Sequence, residues 1–174
     1  MPVDFLTEQL HLEHSKPQAL RLAAWIGHDA ERFTALMNIF LGSDYRLCQR
    51  SAWVLSQVAQ KSPLLLKPWL PRMVAKMREP GIHDAVKRNV VRLLEDIDIP
   101  DSIVDDLADI CFQFLADPRE AIAVRAFSMT VLEKICRKIP ELKPELRLII
   151  EDNFEHGTAA FKSRGRKILK RLEA

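Results

Sequence analysis

This sequence predicts an all-α solenoid of helix pairs, and three observations carry the prediction. Lys67-Pro68-Trp69-Leu70 is echoed by Lys143-Pro144-Glu145-Leu146, 76 residues later, which is twice 38. Arginine keeps the same beat at Arg50, Arg88, Arg125 and Arg164, in steps of 38, 37 and 39. Each of these arginines lies in an apolar pattern of helical period, while no Asn-Gly or Asp-Gly turn separates alternating segments. A period near 40 made of helix pairs marks stacked repeats, in which each unit buries its apolar face on the next.

The breakers divide the chain in order. Residues 3–27 form an N-terminal cap of two short helices around Ser15-Lys16-Pro17. The first pair, within 29–61, breaks at Gly42-Ser43-Asp44. The second, within 63–97, breaks at Pro80-Gly81. The third, within 101–138, breaks at Asp117-Pro118, and the fourth, within 140–172, at His156-Gly157. The expected whole is a single domain over 1–174, a right-handed α-α superhelix of about four to five pairs.

First helices open at or beside Pro63, Pro100 and Pro140. Proline suits the first helical position because the N–H it lacks has no partner there. Ser62 is the expected N-cap of Pro63. Pro68 and Pro71 fall inside the expected helix and predict a kink. The second helices superpose on their arginines. Leu55 and Val58 beside Arg50, Val90 and Leu94 beside Arg88, Leu132 and Ile135 beside Arg125, and Ile168 and Leu172 beside Arg164 mark the repeating apolar face.

These motifs resemble the HEAT-repeat family. Its first helices often carry a Pro-x-Leu-Leu-Pro-like run, matched by Pro63-Leu64-Leu65-Leu66-Lys67-Pro68-Trp69-Leu70-Pro71. Its second helices often begin with Asp, then Val-Arg, then a small residue. Asp117-Pro118 with Val124-Arg125-Ala126 is the closest copy, and Asp44 with Arg50-Ser51-Ala52 is another. The resemblance covers about residues 29–172. It implies a non-enzymatic, armadillo-like helical scaffold that binds a protein partner, since such repeats host many functions and need no catalytic residues.

The net charge of +2 hides strong blocks. Residues 1–45 carry −3, 46–92 carry +8, 93–120 carry −8 and 121–174 carry +5. One face of each second helix holds much of the basic charge. It reads Arg46, Gln49, Arg50, Trp53, Gln57 in the first pair, and Asp84, Lys87, Arg88, Val91, Glu95 in the second. In the last pair it reads Ala160, Ser163, Arg164, Lys167, Arg171. If these faces line a concave surface, Arg46, Arg50, Trp53, Lys87, Arg88, Arg164, Lys167 and Arg171 are the candidate contacts to a partner or anion. Two readings stand for the arginines. Either their stems pack between repeats as a ladder, or they meet a ligand. A basic groove bearing Trp53 would also suit nucleic acid. It would then be distantly like the HEAT-like DNA alkylation-repair glycosylases, whose catalytic aspartate matches no position here.

Other sites are not supported. Asp101, Asp105 and Asp109 share one helical stripe without an EF-hand loop and read as a solvated acidic face. His11 and His14 are three apart, without HExxH or a third ligand. GxSxG, Walker A and GxGxxG are absent, so neither enzyme activity nor a cofactor is expected. Cys48, Cys111 and Cys136 are widely spaced among apolar residues and read as buried free thiols. No secretory signal and no apolar run long enough to span a membrane are seen, so the expectation is a cytoplasmic monomer or weak oligomer.

Overall fold

The structure, a computed structural model, describes residues 1–173. Among them every regular element is helical, as the sequence predicts. The chain divides into two compact units, Met1–Asn89 and Val90–Ala174, and the division falls inside one helix.

In the first unit, α1 (Pro2–Leu12) and α2 (Lys16–Ile26) precede the pair α3 (Ala30–Phe40) and α4 (Tyr45–Lys61). Aspartate starts both helices of that pair. Asp29 Oδ1 accepts the Glu31 and Arg32 N–H groups at 2.9 and 3.0 Å, and Asp44 Oδ1 accepts those of Arg46 and Leu47 at 2.9 and 3.2 Å. A carboxylate there satisfies donors that the helix itself leaves unpaired. α2 ends at Gly27, whose φ of 52° lies in the left-handed region. Leu6, Leu10, Phe33, Leu36, Phe40, Leu55 and Val58 form the buried centre of this unit.

The proline-rich first helix carries a 3-10 turn in its middle, while the residues at its junctions keep right-handed helical backbone angles. α5 (Pro63–Leu66) is followed by a 3-10 turn, Lys67–Trp69, and then by α6 (Leu70–Met77). Pro68 and Pro71 remove two backbone donors three residues apart, and the tighter turn absorbs the loss. Ser62 takes the N-cap position before Pro63 as expected, but its side chain makes no capping hydrogen bond. Its hydroxyl instead lies 3.3 Å from the Gly27 carbonyl and 2.8 Å from His28 Nδ1, tying this turn to the end of α2.

α7 (Asp84–Asp96) contains the division between the units. The second unit continues with α8 (Asp101–Ala116), α9 (Ile122–Lys138), a 3-10 turn at Pro140–Leu142, α10 (Lys143–Asp152) and α11 (Ala159–Glu173). α9 starts at Ile122, four residues past the expected break at Asp117-Pro118, because Asp117 folds the chain back. Its carboxylate accepts the Arg119 backbone N–H at 2.9 Å and the guanidinium at 3.0 Å. Leu107, Leu115, Val124, Met129, Leu132, Ile150 and Ile168 fill this core. Gly165 lets α11 approach α10, because a Cβ there would stand 3.1 Å from Ile150 Cγ2.

The cysteines are buried and unbridged. Burial pushes the Cys48 and Cys111 thiols up to about 12 and that of Cys136 to about 11. No helix among the described residues is long and apolar enough to cross a membrane. No cluster of potential metal ligands occurs among them.

Candidate docking groove

The predicted contact residues fall in both units. In the first, α4 turns Arg46, Gln49 and Trp53 outward. Arg46 is exposed, and its Nε donates to the Tyr45 hydroxyl at 3.3 Å. Trp53 is 37% exposed and meets the edge of His14, with ring centroids 5.5 Å apart. Arg50 turns inward. Its Nη1 donates to the carbonyls of Leu10 and His11 at 2.7 and 3.1 Å, at the end of α1. On α7, Lys87 pairs with Asp84 at 3.3 Å and Arg88 is half-buried. Val91, assigned to the same face by its spacing, is fully buried in the second unit's core.

In the second unit Arg164, Lys167 and Arg171 come together. They line one side of a cleft of about 790 Å³ between the end of α7, the first half of α9, and α11. Three successive second helices thus build its walls. The floor is apolar, formed by Ile122, Ala123, Ala126, Phe127 and Ala160. Ile122 is 52% exposed although it is β-branched and apolar. It opens α9 directly after the Asp117 turn, and that turn leaves it outside the core.

The charges in this cleft alternate. Arg164 is clamped from three sides. Its Nη1 donates to Thr130 Oγ1 at 2.7 Å and to the Ala126 carbonyl at 3.3 Å, and it pairs with Glu95. The guanidinium also lies 5.1 Å from the centre of the Phe127 ring. Arg171 pairs with Glu133 at 3.0 Å. Asp96 adds a second carboxylate to the lining, and Lys167 has no ion pair among the described residues. The cleft is an apolar slot with charges of both signs on its rim, not an unbroken cationic track.

The inward arginines share a geometry. Arg50 reaches carbonyls 39 and 40 residues earlier in the chain, and Arg164 reaches one 38 residues earlier. Each therefore bonds one repeat back. Arg125 instead bonds within its own pair and forward, to the Leu115 carbonyl at 3.1 Å and to Asn153 Oδ1 at 2.8 Å. Burial lowers the pKa of its guanidinium, though not enough to discharge it.

Two lysines that the arginine register does not include make the same kind of link. Lys134 Nζ donates to the carbonyls of Leu94, Glu95 and Ile97. Lys138 Nζ donates to the Ile99 carbonyl and pairs with Asp101 at 3.0 Å. Such repeat-to-repeat bonding, over helix pairs of near-constant length, is the internal order of a repeat protein. A family model for the HEAT repeat domain matches residues 6–172. The chain belongs to this HEAT repeat family. No curated protein and no solved structure matches it. HEAT repeats in general serve as protein-interaction scaffolds.

Proposed function

We propose that this HEAT domain is a non-enzymatic scaffold, and that the α7–α9–α11 groove takes a short segment of a protein partner. The occupant combines at least one large apolar side chain with flanking charge, including an acidic residue for Lys167. The carrying observation is the apolar floor around the half-exposed Ile122, enclosed by a rim of mixed sign. Apolar area supplies affinity, while rim charges fix orientation and exclude wrong partners.

A polynucleotide fits this groove less well. Glu95 pairs with Arg164, Glu133 pairs with Arg171, and Asp96 would face the phosphates. A backbone-tracking site needs uncompensated cations, whose counterions are released on binding.

Selection of peptides from a random library on the full chain tests this reading. Enriched peptides should pair an apolar anchor with an acidic residue, and Ala160→Trp, at an exposed lining position, should abolish their binding by filling the slot. Enrichment that is indifferent to Ala160→Trp would place the binding surface elsewhere. Tight duplex DNA binding that falls steeply with salt would favour the nucleic-acid reading instead.

A further inference from the structure

We propose that Arg137, Lys143 and Arg171 form a binding site for a phosphate monoester, carried by a phosphorylated side chain of the segment in the groove. The identity of the carrier rests on the groove reading above, whereas the anion site stands on its own geometry.

The site is a small pocket of about 120 Å³ where the end of α9, the Pro140–Leu142 turn, the start of α10 and the end of α11 meet. Glu133 lines it, a carboxylate among the buried, mostly apolar residues of α9 and only 5% exposed. Both of its oxygens are engaged, Oε1 by Arg137 Nη2 at 2.8 Å and Oε2 by Arg171 Nη2 at 3.0 Å. Removing either arginine alone would leave that buried charge poorly compensated. These two ion pairs hold both guanidiniums against Glu133. Each uses one nitrogen on Glu133 and keeps further N–H donors for a ligand. Ordering two long side chains in advance removes much of the entropy that binding would otherwise cost.

Lys143 completes the set. It opens α10 directly after the 3-10 turn, lines the pocket, and has no ion pair among the described residues. Three cations against one carboxylate leave two positive charges. A phosphate monoester carries about −1.5 to −2 at neutral pH, whereas a carboxylate carries a single charge. Guanidinium forks also match phosphate oxygens in geometry. Charge balance and donor geometry therefore both favour phosphate over an acidic side chain.

Arg171 connects the two sites, because it lines the groove as well as the pocket. A segment lying in the groove would bring a phosphorylated residue to this end. Phosphorylation of the partner would then switch docking on, with the apolar floor supplying contact and the pocket supplying the condition.

Phenyl phosphate is the probe, titrated into the full chain and followed by ¹H–¹⁵N NMR. Saturable shifts are expected at residues 137–143 and 171–172. Lys143→Gln should weaken binding about tenfold, the effect of losing one charge-assisted contact. Benzoate should bind about tenfold more weakly than phenyl phosphate. Lys143 has no ion pair to lose, so this variant keeps its fold, and its amide spectrum will show that directly. Shifts that never saturate, shifts spread over every basic residue, equal binding of benzoate, or an unaffected Lys143→Gln variant would each overturn the site. Ala160→Trp separates the two proposals, because it closes the groove and leaves the pocket intact. Phenyl phosphate binding retained in that variant supports the pocket whatever becomes of peptide docking.

Discussion

Lys134 closes the end of a helix that finishes a full repeat before it, its ammonium donating to the Glu95 carbonyl at 2.8 Å. The Leu94 and Ile97 carbonyls are bound by the same ammonium. The last turn of any helix leaves carbonyls without intrahelical partners and carries the negative end of the dipole. One cation from the next repeat therefore satisfies three acceptors and joins two repeats. Lys134→Met keeps the stem and deletes the donors. It should destabilise the chain by about 1–3 kcal/mol, the cost of leaving buried acceptors unpaired. In a chain of this size each lost kcal/mol should lower Tm by about 2–4 °C. Lys167→Met, at an exposed lysine without an ion pair, should stay within about 0.5 kcal/mol. Urea denaturation of both variants checks the contrast, and equal effects would remove the capping role.

Arg50 performs the equivalent task in the first unit, at the carbonyls of Leu10 and His11. Arg50→Met should cost about 1–2 kcal/mol. Hydrogen exchange should show the loss first in α1, whose last turn the guanidinium holds. Protection lost evenly along the chain would mean that Arg50 contributes no local clamp.

The contrast between Arg50 and Lys134 shows where sequence reading succeeds and where it stops. The arginine beat is visible because it recurs at one register of every second helix, so period and residue type agree. The caps at Asp29 and Asp44 rest on local chemistry, a signal that dividing the chain by its breakers does not use. Lys134 has no equivalent elsewhere. Nine residues after Arg50 stands Ala59, and nine after Arg88 stands Ile97. Its partners are main-chain carbonyls, which leave no mark in a sequence. Glu133 is similar. It stands in the run Val131-Leu132-Glu133, where an acid within an apolar face was the available signal, but only the fold shows that Arg137 and Arg171 close on it. The charge blocks mislead for the same reason. Residues 93–120 read as strongly acidic, yet Glu95 faces Arg164, 69 residues away.

Gly165 tests how tightly α10 and α11 pack. Its Cβ would meet Ile150 Cγ2 at 3.1 Å and the Phe154 ring at 3.5 Å, both on side chains that can yield slightly. Gly165→Ala trades this crowding against a helix-propensity gain of about 1 kcal/mol and should come out near neutral. Gly165→Leu has no such room and should destabilise by about 1–3 kcal/mol through overpacking. Chemical denaturation of the two variants reads the difference, and a stable Gly165→Leu protein would show that the helices are not in close contact.

The thiols should be silent in the folded protein. Cys48, Cys111 and Cys136 are buried, with pKa values pushed up to about 12, 12 and 11, so almost no thiolate exists at pH 8. A disulfide reagent should therefore modify none of them at a rate above that of unfolding, and three equivalents should react once urea unfolds the chain. Rapid modification of any one without denaturant would contradict its placement.

Acid should release two carboxylates held ionised by hydrogen-bonding neighbours. The Arg119 guanidinium holds Asp117 below its ordinary value of 3.8, and Ser15 with Arg21 holds Glu13 below 4.5. A depressed folded pKa means that the unfolded chain binds more protons between the two values, so stability falls as pH drops through that window. Above the ordinary values the contribution is complete, and below the folded ones it is lost. Carboxyl NMR titration should place both midpoints below these ordinary values, and Arg119→Gln should return Asp117 towards 3.8. A midpoint for Asp117 that ignores Arg119→Gln would assign its shift to another cause.

Arg164 and Glu95 carry the sharpest test of the groove itself. Their contact joins α11 to α7, while Thr130 and the Ala126 carbonyl hold the same guanidinium over Phe127. Both side chains are largely shielded from solvent, so their attraction is less screened than at an open surface. A double-mutant cycle with Arg164→Gln and Glu95→Gln should give a coupling of about 1–2 kcal/mol, against about 0.2–1 kcal/mol for the more exposed pair Arg147–Glu173. The same cycle distinguishes the two roles of the arginine beat. If Arg164 is a wall strut, Glu95→Gln should weaken peptide binding only as far as it lowers stability. If Arg164 is a ligand contact restrained by Glu95, freeing it should instead strengthen binding of acidic peptides while stability falls.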